Sequence, residues 1–250
     1  MIYQDKAIMI RQTNYSESSR IITILTENGA SVPLMARGFN KPNSPFASLR
    51  QGFQNSLFTY SRHRGMGTLT EVDVIHPYRH MNTDFDLYTG ASYVLEAISR
   101  VVEEEFPDKT LYDLCKVAFD RLEDGSEMYA VLSFVLIKLF TKYGAALNFD
   151  RCIQCGTYDF QKLNRYSFKF HGLLCTDCQT EDNIGRSVLI ENRIVYLIAF
   201  LKHVRINDLN SIDINTETAK KMFKVVEMLF QEYTGEYFKA RKMLDIYKCT

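Results

Sequence analysis

The sequence predicts an α+β protein of several domains, in which a small β-barrel precedes a helical bundle with an inserted four-cysteine zinc ribbon. Runs of β-branched and aromatic residues occupy roughly the first third of the chain, and apolar residues recur at helical spacing from Asp84 onward. Two Cys-x-x-Cys pairs interrupt the helical part. We therefore expect a barrel domain at 1–80, a helical domain at 81–149 and 184–250, and a ribbon at 150–183.

Five short segments read as the strands of the barrel. The dipeptide Asn28-Gly29 favours the positive φ angles of a tight hairpin turn, and Pro33 indicates an edge or a bulge in the strand that follows. Five strands with this spacing are typical of a small closed barrel of the OB type. The predicted strands are 7–10, 21–26, 31–36, 52–60 and 67–75, with a helical turn at 46–50.

The second part of the chain is patterned for helices. Pro107 ends the first of them, Asp108 is placed to cap the second, and Asp124-Gly125 ends that second helix. The third is apolar on all sides, as expected for a helix at the centre of a bundle. The predicted helices are 84–105, 109–122, 126–143, 186–204 and 216–233.

Composition and targeting signals indicate a folded protein of the cytoplasm. Of the 250 residues, 46% are hydrophobic and 24% are charged, which excludes disorder. The start of the chain lacks the basic and apolar regions of a signal peptide. The longest apolar stretch, 128–140, is shorter than the roughly 20 residues of a membrane span. Cytoplasmic thiols are kept reduced, so the six cysteines need another explanation than disulfides.

The cysteine pattern is the most specific local signal. Cys152-x-x-Cys155 and Cys175-x-x-Cys178 have the spacing of a four-thiolate zinc site. All four corners of the tetrahedron are then filled by protein, so the predicted Zn²⁺ is structural and has no open position for catalysis. His171 is expected to lie exposed in a turn and not to act as a fifth ligand. Cys115 and Cys249 are interpreted as a core thiol and a tail residue.

Two other interpretations of these cysteines stay open at this point. One Cys-x-x-Cys pair is also typical of a thioredoxin-like redox site. Four thiolates also suit an iron–sulfur cluster. Both explain the paired spacing less well than a zinc ribbon, in which a strand at 166–170 and a turn at His171-Gly172 separate the pairs.

The sequence contains no recognisable catalytic motif. A P-loop, Gly-x-Gly-x-x-Gly, His-Glu-x-x-His and Gly-x-Ser-x-Gly are all missing from it. The acidic run 103–105 reads as a solvated helix end, because consecutive helical residues point in different directions. We therefore expect a protein that is not an enzyme.

Charge is segregated along the chain. Residues 1–80 carry a net charge of +4, whereas 81–150 carry −7 and the remainder carries +3. The cations of the first segment fall on predicted turns and strand ends, where Phe39, Phe58 and Tyr60 are interleaved with them. Cations beside aromatic rings are typical of single-strand nucleic-acid binding, although such rings also fill barrel cores. The candidate DNA-binding residues are Arg20, Arg37, Lys41, Arg50, Arg62 and Arg64.

Several segments resemble the RecO family of bacterial DNA repair and recombination mediators. Residues 18–29 are similar to the family's first hairpin, 36–44 to its basic loop with glycine, and 67–72 to its last barrel strand. Residues 147–152 lead into the cysteine ribbon as they do in the family. The order of barrel, helices, inserted cysteine pairs and further helices is also that of the family. One departure is His171-Gly172, where the family often has two glycines.

The resemblance implies a role without catalysis. Members of this family bind single- and double-stranded DNA, anneal complementary strands, and with the partner RecR help load the RecA recombinase. They also contact the acidic, apolar C-terminal tail of single-strand binding protein, for which Lys220, Lys221 and Lys224 are candidates here. The resemblance further implies a cytoplasmic, nucleoid-associated protein. The rival hypothesis is a zinc-ribbon adaptor that organises other proteins and touches nucleic acid only weakly, and a redox enzyme is a third.

Overall fold

The computed structural model describes the backbone of residues 1–245, and the side chains of all of these except Gln51 and Asp245. Cys249 and the other residues of 246–250, at the end of the predicted helical segment 184–250, lie outside the described part. The described chain forms two compact units, of which the first comprises Met1–Met128, Leu209–Ser211 and the segment from Phe238 onward. The second comprises Tyr129–Asp208 and Ile212–Tyr237. Within residues 1–245, no helix has the length and apolarity needed to cross a membrane.

The first unit begins with a closed five-stranded barrel of strand order β1-β2-β3-β5-β4. All of its contacts between neighbouring strands are antiparallel except β3 with β5, which run parallel where Leu34 pairs with Gly67. The predicted five-stranded OB-type barrel is therefore confirmed. Its strands are β1 (Ile2–Asn14), β2 (Arg20–Thr26), β3 (Ser31–Ala36), β4 (Gln54–Ser61) and β5 (Gly67–Pro77), with a 3₁₀ turn at Ala47–Gln51.

Two sequence features of the barrel behave as predicted. Gly29 has a φ of +83° in the β2–β3 turn, where an added Cβ would lie 2.1 Å from the backbone of Asp108. Pro33 pairs with β2, but the pairing of β3 with β5 starts only at the next residue, Leu34. At Pro33, β3 is therefore paired with β2 on one side and with no described strand on the other. Proline is tolerated there because it lacks the N–H that a second strand would need.

The helices of the first unit pack beside the barrel through buried polar contacts. Asn82 exchanges two hydrogen bonds with the backbone of Phe53, at 2.8 and 3.1 Å. The amide of Asn55 donates to the Tyr112 hydroxyl at 2.9 Å. Asp108 caps the helix that begins at Lys109, as predicted, because its side chain accepts a hydrogen bond from the backbone of Thr110. These helices are α1 (Arg79–Thr83), α2 (Phe85–Val101), α3 (Lys109–Glu123) and the start of α4 (Met128–Leu139).

The second unit combines helices with a three-stranded sheet of order β7-β6-β8. The short β8 lies inside the segment predicted as helix 186–204, so that prediction was wrong at its start. Its residues pair with β6 at Arg165–Ser167, and this tertiary partner overrides the helical pattern. The elements are β6 (Leu163–Ser167), β7 (Gly172–Cys175), α5 (Glu181–Ile184), β8 (Ser187–Leu189), α6 (Asn192–His203) and α7 (Thr216–Thr234); α8 (Arg241–Asp245) belongs to the first unit.

The ribbon strand begins earlier than its sequence pattern indicates. β6 covers Leu163–Ser167, and the turn that follows runs from Phe168 to His171, so that Gly172 already belongs to β7. Within residues 1–245, His171 is the one residue other than glycine with a positive φ, at 55°. This left-handed conformation is the one that glycine adopts most easily, which explains why a glycine suits this position.

Candidate nucleic-acid surface and metal site

One end of the barrel is built from two polar segments that hold each other in place. Asn40 donates two hydrogen bonds to the β1–β2 turn, both at 3.0 Å. Its backbone N–H donates to the carbonyl of Ser18, and its side-chain amide donates to the carbonyl of Glu17. The Ser19 hydroxyl accepts from the backbone of Gly38. We call this surface the loop end of the barrel; it consists of residues 15–20 and 37–41.

Arg20 forms the base of the loop end. Its guanidinium donates to Asn40 Oδ1 at 3.0 Å and to Gln12 Oε1 at 2.7 Å, and lies 5.0 Å from the ring centroid of Phe39. All of these partners are neutral, so the positive charge of Arg20 is not cancelled by them. Arg20 both fixes the 37–41 loop and adds to its positive potential.

Arg37 and Lys41 extend from this base. Arg37 is exposed and directly follows β3, while Lys41 is exposed and packs its alkyl chain near Gly38, whose φ is +73°. Neither residue forms an ion pair with any carboxylate in the described chain. Free cations on an exposed turn are the groups that bind phosphate most readily, because no internal partner has to be displaced.

Arg62 and Arg64 lie in the neighbouring β4–β5 turn. Met35, Thr68 and Ser61 lie side by side on β3, β5 and β4, and Arg62 directly follows this row. Arg37 lies two residues beyond Met35 in the opposite direction. Strand spacings of about 4.8 Å and a rise of about 3.3 Å per residue put Arg37 and Arg62 on the order of 15 Å apart, within one OB-fold site.

The two arginines of that turn differ in how far they are engaged. Arg62 pairs with Glu104 at 3.1 Å and donates to the carbonyl of Gly65, whereas Arg64 is exposed and has no ion pair within residues 1–245. The Glu104 side chain is 53% exposed, and exposed pairs of this kind contribute only about 0–1 kcal/mol. The pair is therefore weak enough to open for a phosphate.

Arg50 is the outlying member of the predicted set. It is exposed in the 3₁₀ turn and lines a cavity of about 360 Å³ together with residues of β1 and α2, among them Gln12 and Glu96. No hydrogen bond described for residues 1–245 ties it to the loop end. The structure thus brings Arg20, Arg37 and Lys41 together, with Arg62 and Arg64 on the next turn, and leaves Arg50 beside the helices.

The aromatic residues interleaved with these cations are core residues, which is the second of the two interpretations that the sequence left open. Phe39 and Phe58 are fully buried and Tyr60 is 3% exposed, all within the barrel core. The Tyr60 hydroxyl donates to Asp5 at 2.7 Å, and burial together with this carboxylate raises its pKa. Sequence reasoning missed Tyr15, which is 63% exposed in the β1–β2 turn of the loop end. Its position among polar turn residues could have indicated that this ring is exposed.

The second unit contains the cysteine cluster, in which Cys152, Cys155, Cys175 and Cys178 meet. Their sulfurs all lie within 4.8 Å of one another, and the Cys155 and Cys175 sulfurs are 3.8 Å apart. Around one ion with metal–sulfur bonds of about 2.3 Å, the edge of a thiolate tetrahedron is about 3.8 Å. The four thiols are therefore placed to hold a single metal ion, at a spacing too small to enclose several irons and sulfides.

The electrostatics of the cluster also suit a cation. Burial opposes ionisation of the Cys152 thiol, but backbone N–H groups of Cys155, Cys175 and Gln154 outweigh it and lower its pKa to about 7. Hydrogen bonding with the neighbouring thiols, Cys175 first, raises the pKa of Cys178 to about 12. Without a cation the cluster therefore resists full ionisation, and a divalent metal would reverse this by binding the thiolates.

The remaining predictions about single residues are settled by burial and contacts. His171 is exposed and is not part of the cluster; its ring approaches the Tyr233 hydroxyl at 3.1 Å. Cys115 is fully buried, and burial raises the pKa of its thiol, as befits a core residue. The acidic run 103–105 is exposed, as predicted, but it lies beyond α2, which ends at Val101 and not at 105.

The lysines considered for an acidic peptide tail lie on α7. Lys221 pairs with Glu191 at 2.9 Å and with Glu217 at 3.2 Å, and the ammonium of Lys220 lies over the ring of Tyr129. Lys224 is exposed. The structure thus engages Lys220 and Lys221 within the second unit.

Comparison with known proteins supplies the family. The model named "Recombination protein O N terminal" matches residues 1–78, and "Recombination protein O C terminal" matches residues 82–242. The chain belongs to the RecO family. Its barrel is the part that the N-terminal RecO model covers, and the cysteine cluster lies within the C-terminal match.

Individual RecO proteins align over nearly the whole chain. The DNA repair protein RecO of Staphylococcus epidermidis is 35% identical over 245 residues, which cover 98% of this chain and 96% of that protein. The DNA repair protein RecO of Staphylococcus saprophyticus is 36% identical, with coverage of 98% and 97%. The resemblance seen in the sequence is thus confirmed from the barrel through the helices.

Proposed function

We propose that this protein is a non-enzymatic mediator of DNA repair and recombination. It binds single- and double-stranded DNA, anneals complementary strands, and helps load recombinase onto strands coated by single-strand binding protein. The observation that carries the proposal is the set of exposed cations Arg37, Lys41 and Arg64, which have no carboxylate partner in residues 1–245 and lie on two turns of an OB-type barrel. Membership of a family whose relatives are named DNA repair proteins supports the same role.

The physics of annealing fits such a surface. Two complementary strands repel each other through their phosphates, and a protein that neutralises phosphates lowers this barrier by releasing counterions. No bond is made or broken in the process, so no catalytic group is needed. The charge that does this work is local, because the chain as a whole has 30 basic and 30 acidic residues.

The proposed cofactor is one structural Zn²⁺ held by Cys152, Cys155, Cys175 and Cys178. Four thiolates with tetrahedral spacing are a closed set of ligands, which Zn²⁺ accepts without a preference for any other geometry. The ion would join the segment before β6 to the end of β7 and so stabilise the ribbon. Its part in DNA binding is indirect.

The proposed partners follow from the family. They are RecR and the C-terminal tail of single-strand binding protein, in addition to DNA. Since Lys220 and Lys221 are engaged within α7 and its surroundings, Lys224 is the one of the three candidates that stays exposed without a described partner. A cytoplasmic, nucleoid-associated location and the four domain segments remain predictions.

The decisive experiment is a strand-annealing assay run together with metal analysis on the same sample. We expect the protein to anneal complementary oligonucleotides without nucleotide hydrolysis and to contain one metal ion per chain. Annealing by Arg37→Glu/Lys41→Glu should fall at least tenfold, because both changes replace attraction to phosphate by repulsion.

A charge-matched variant separates this site from net charge. Arg79→Glu/Lys239→Glu alters two exposed cations of the same unit by the same total charge. It should anneal nearly as well as the unchanged protein. Equal losses in both variants would reject the loop end as the site, and an inactive but metal-loaded parent protein would favour the adaptor hypothesis.

A further inference from the structure

The second unit contains an aromatic groove that the proposed function does not use. It is lined mainly by Tyr158, Phe160, Tyr196 and Phe200, and its volume is about 670 Å³. Tyr158, Tyr196 and Phe200 are 63%, 52% and 54% exposed, although side chains of this size are normally buried. The rings of Tyr196 and Phe200 are nearly parallel, at 20°, with centroids 6.4 Å apart.

A second, polar groove adjoins the first. Its volume is about 590 Å³, and it shares Asp150 and Tyr158 with the aromatic groove. Arg151 lines it and donates to the Tyr158 hydroxyl at 3.3 Å. An apolar compartment next to a polar one suits a ligand that alternates flat, apolar groups with charged ones.

The charges of the two grooves differ in whether they are already compensated. In the aromatic groove Asp150 accepts hydrogen bonds from both Lys202 and His203. By contrast, Arg151 and Arg193 are exposed and form no ion pair within residues 1–245. Arg193 lies one helical turn before Tyr196, on the same face of α6.

This distribution distinguishes between two kinds of anionic ligand. An acidic peptide with an apolar end would place its carboxylates beside the apolar pocket, where Lys202 and His203 are already engaged by Asp150. A nucleic-acid strand would place uncharged bases there and its phosphates near Arg151 and Arg193. Exposed rings stack on bases of any sequence, so the groove needs no base-specific hydrogen bonds.

We propose that this groove is a second binding site for single-stranded nucleic acid, in which bases stack on Tyr196 and Phe200 and phosphates contact Arg151 and Arg193. The inference rests on the proposed function and deepens it. A protein that anneals strands has to hold two of them, and a contact on the second unit would supplement the loop end of the barrel.

The absence of tryptophan from the sequence allows a direct test. Phe200→Trp introduces a single indole into the groove, and titration with oligothymidylate should quench its fluorescence by stacking. The matched control is Tyr237→Trp, which puts the same probe on another exposed aromatic position of the same unit, 67% exposed. Its fluorescence should stay nearly constant.

A second variant keeps the test independent of the probe. Tyr196→Leu retains apolar bulk but removes the stacking ring, and it should weaken binding of the oligonucleotide about tenfold. Binding is followed by anisotropy of a labelled oligonucleotide, and Tyr237→Leu serves as the control. Circular dichroism checks that each variant is folded.

The outcomes separate this inference from the proposed function. If the labelled oligonucleotide binds but Phe200→Trp is not quenched and Tyr196→Leu binds normally, the groove is not a nucleic-acid site while the proposed function stands. If no oligonucleotide binds to the unchanged protein, both fail. A response of the indole to an acidic peptide with an apolar C-terminus, and none to oligothymidylate, would assign the groove to a protein partner and overturn the inference.

Discussion

The loop end of the barrel differs from two sites of the second unit in whether its exposed cations have a carboxylate partner. In the second unit, Lys162 pairs with Asp177 at 2.7 Å and Arg186 pairs with Glu232 at 2.7 Å. At the loop end, Arg37 and Lys41 are exposed and have no such partner among residues 1–245. The difference teaches that the number of cations in a segment says little about binding. We expect binding to depend on whether the fold has already paired these cations with carboxylates.

The two regions also differ in how they are stabilised. The barrel encloses a core of buried aliphatic and aromatic side chains, including Phe39 and Phe58. The ribbon is small, and its four thiols converge on one point instead. We therefore expect a bound metal to contribute much of the ribbon's stability, because a segment of that size buries little apolar surface.

The largest expected effect separates the regions by removing the metal. Cys152→Ser/Cys155→Ser should lose the ion and lower the free energy of unfolding by several kcal/mol, since metal binding and folding of such a site are coupled. Metal analysis and thermal unfolding measure both. Cys115→Ala, which removes a buried thiol outside the cluster, should keep the ion. Full metal content in the double variant would contradict the assignment of these ligands.

A smaller effect concerns Lys138, a half-buried cation of the second unit. Burial lowers the pKa of Lys138 from 10.5 to about 8, so the folded state disfavours its charged form. Lys138→Met removes this penalty but also the hydrogen bond that Lys138 Nζ donates to Lys202 O at 2.8 Å. The substitution should therefore stabilise the protein by at most about 1 kcal/mol at pH 7, after allowance for partial exposure.

The pH dependence of that gain fixes its cause. The unfolded chain binds the proton more tightly between pH 8 and 10.5, so the stability of the unchanged protein rises over this range. The advantage of Lys138→Met should be full below pH 8 and vanish above about pH 10.5, as measured by chemical denaturation. Lys41→Met, at an exposed position, should leave stability unchanged. A gain independent of pH would point to packing instead.

A weaker effect compares one free cation with one paired cation. Lys41→Gln should reduce affinity for single-stranded DNA about threefold and lower the slope of log K against log salt by about 0.7, the value for one phosphate contact. Lys162→Gln removes a charge that Asp177 already compensates, and should change neither quantity. Fluorescence anisotropy at several salt concentrations measures both; equal losses would mean that pairing does not control binding.

The smallest effect tests the ion pair between Arg62 of the β4–β5 turn and Glu104. Glu104→Gln frees Arg62 from its carboxylate and should tighten DNA binding by about twofold, since an exposed pair is weak. The same substitution at Glu217, which pairs with Lys221 in the other unit, is the control and should have no effect. Weaker binding by Glu104→Gln would show that Arg62 needs this carboxylate to keep its position.

Sequence alone determined the order of the five barrel strands and of the long helices, because that order depends on local signals. Asn28-Gly29 and Asp108 mark a turn and a helix cap, and both act as predicted. Pro107 was predicted to end a helix at 105, but α2 already ends at Val101. The spacing of the two cysteine pairs likewise specifies a four-thiolate site without knowledge of the rest of the fold.

Only the tertiary structure decided which of those residues are available to a ligand. Phe39 and Tyr15 look alike in the sequence, yet one fills the barrel core and the other is exposed on a turn. Arg62 and Arg64 are two residues apart, and only the first meets Glu104. Burial and pairing depend on residues far away in the chain, which local patterns do not encode. For the same reason Ser187–Leu189 forms a strand against β6, although its local pattern favoured a helix.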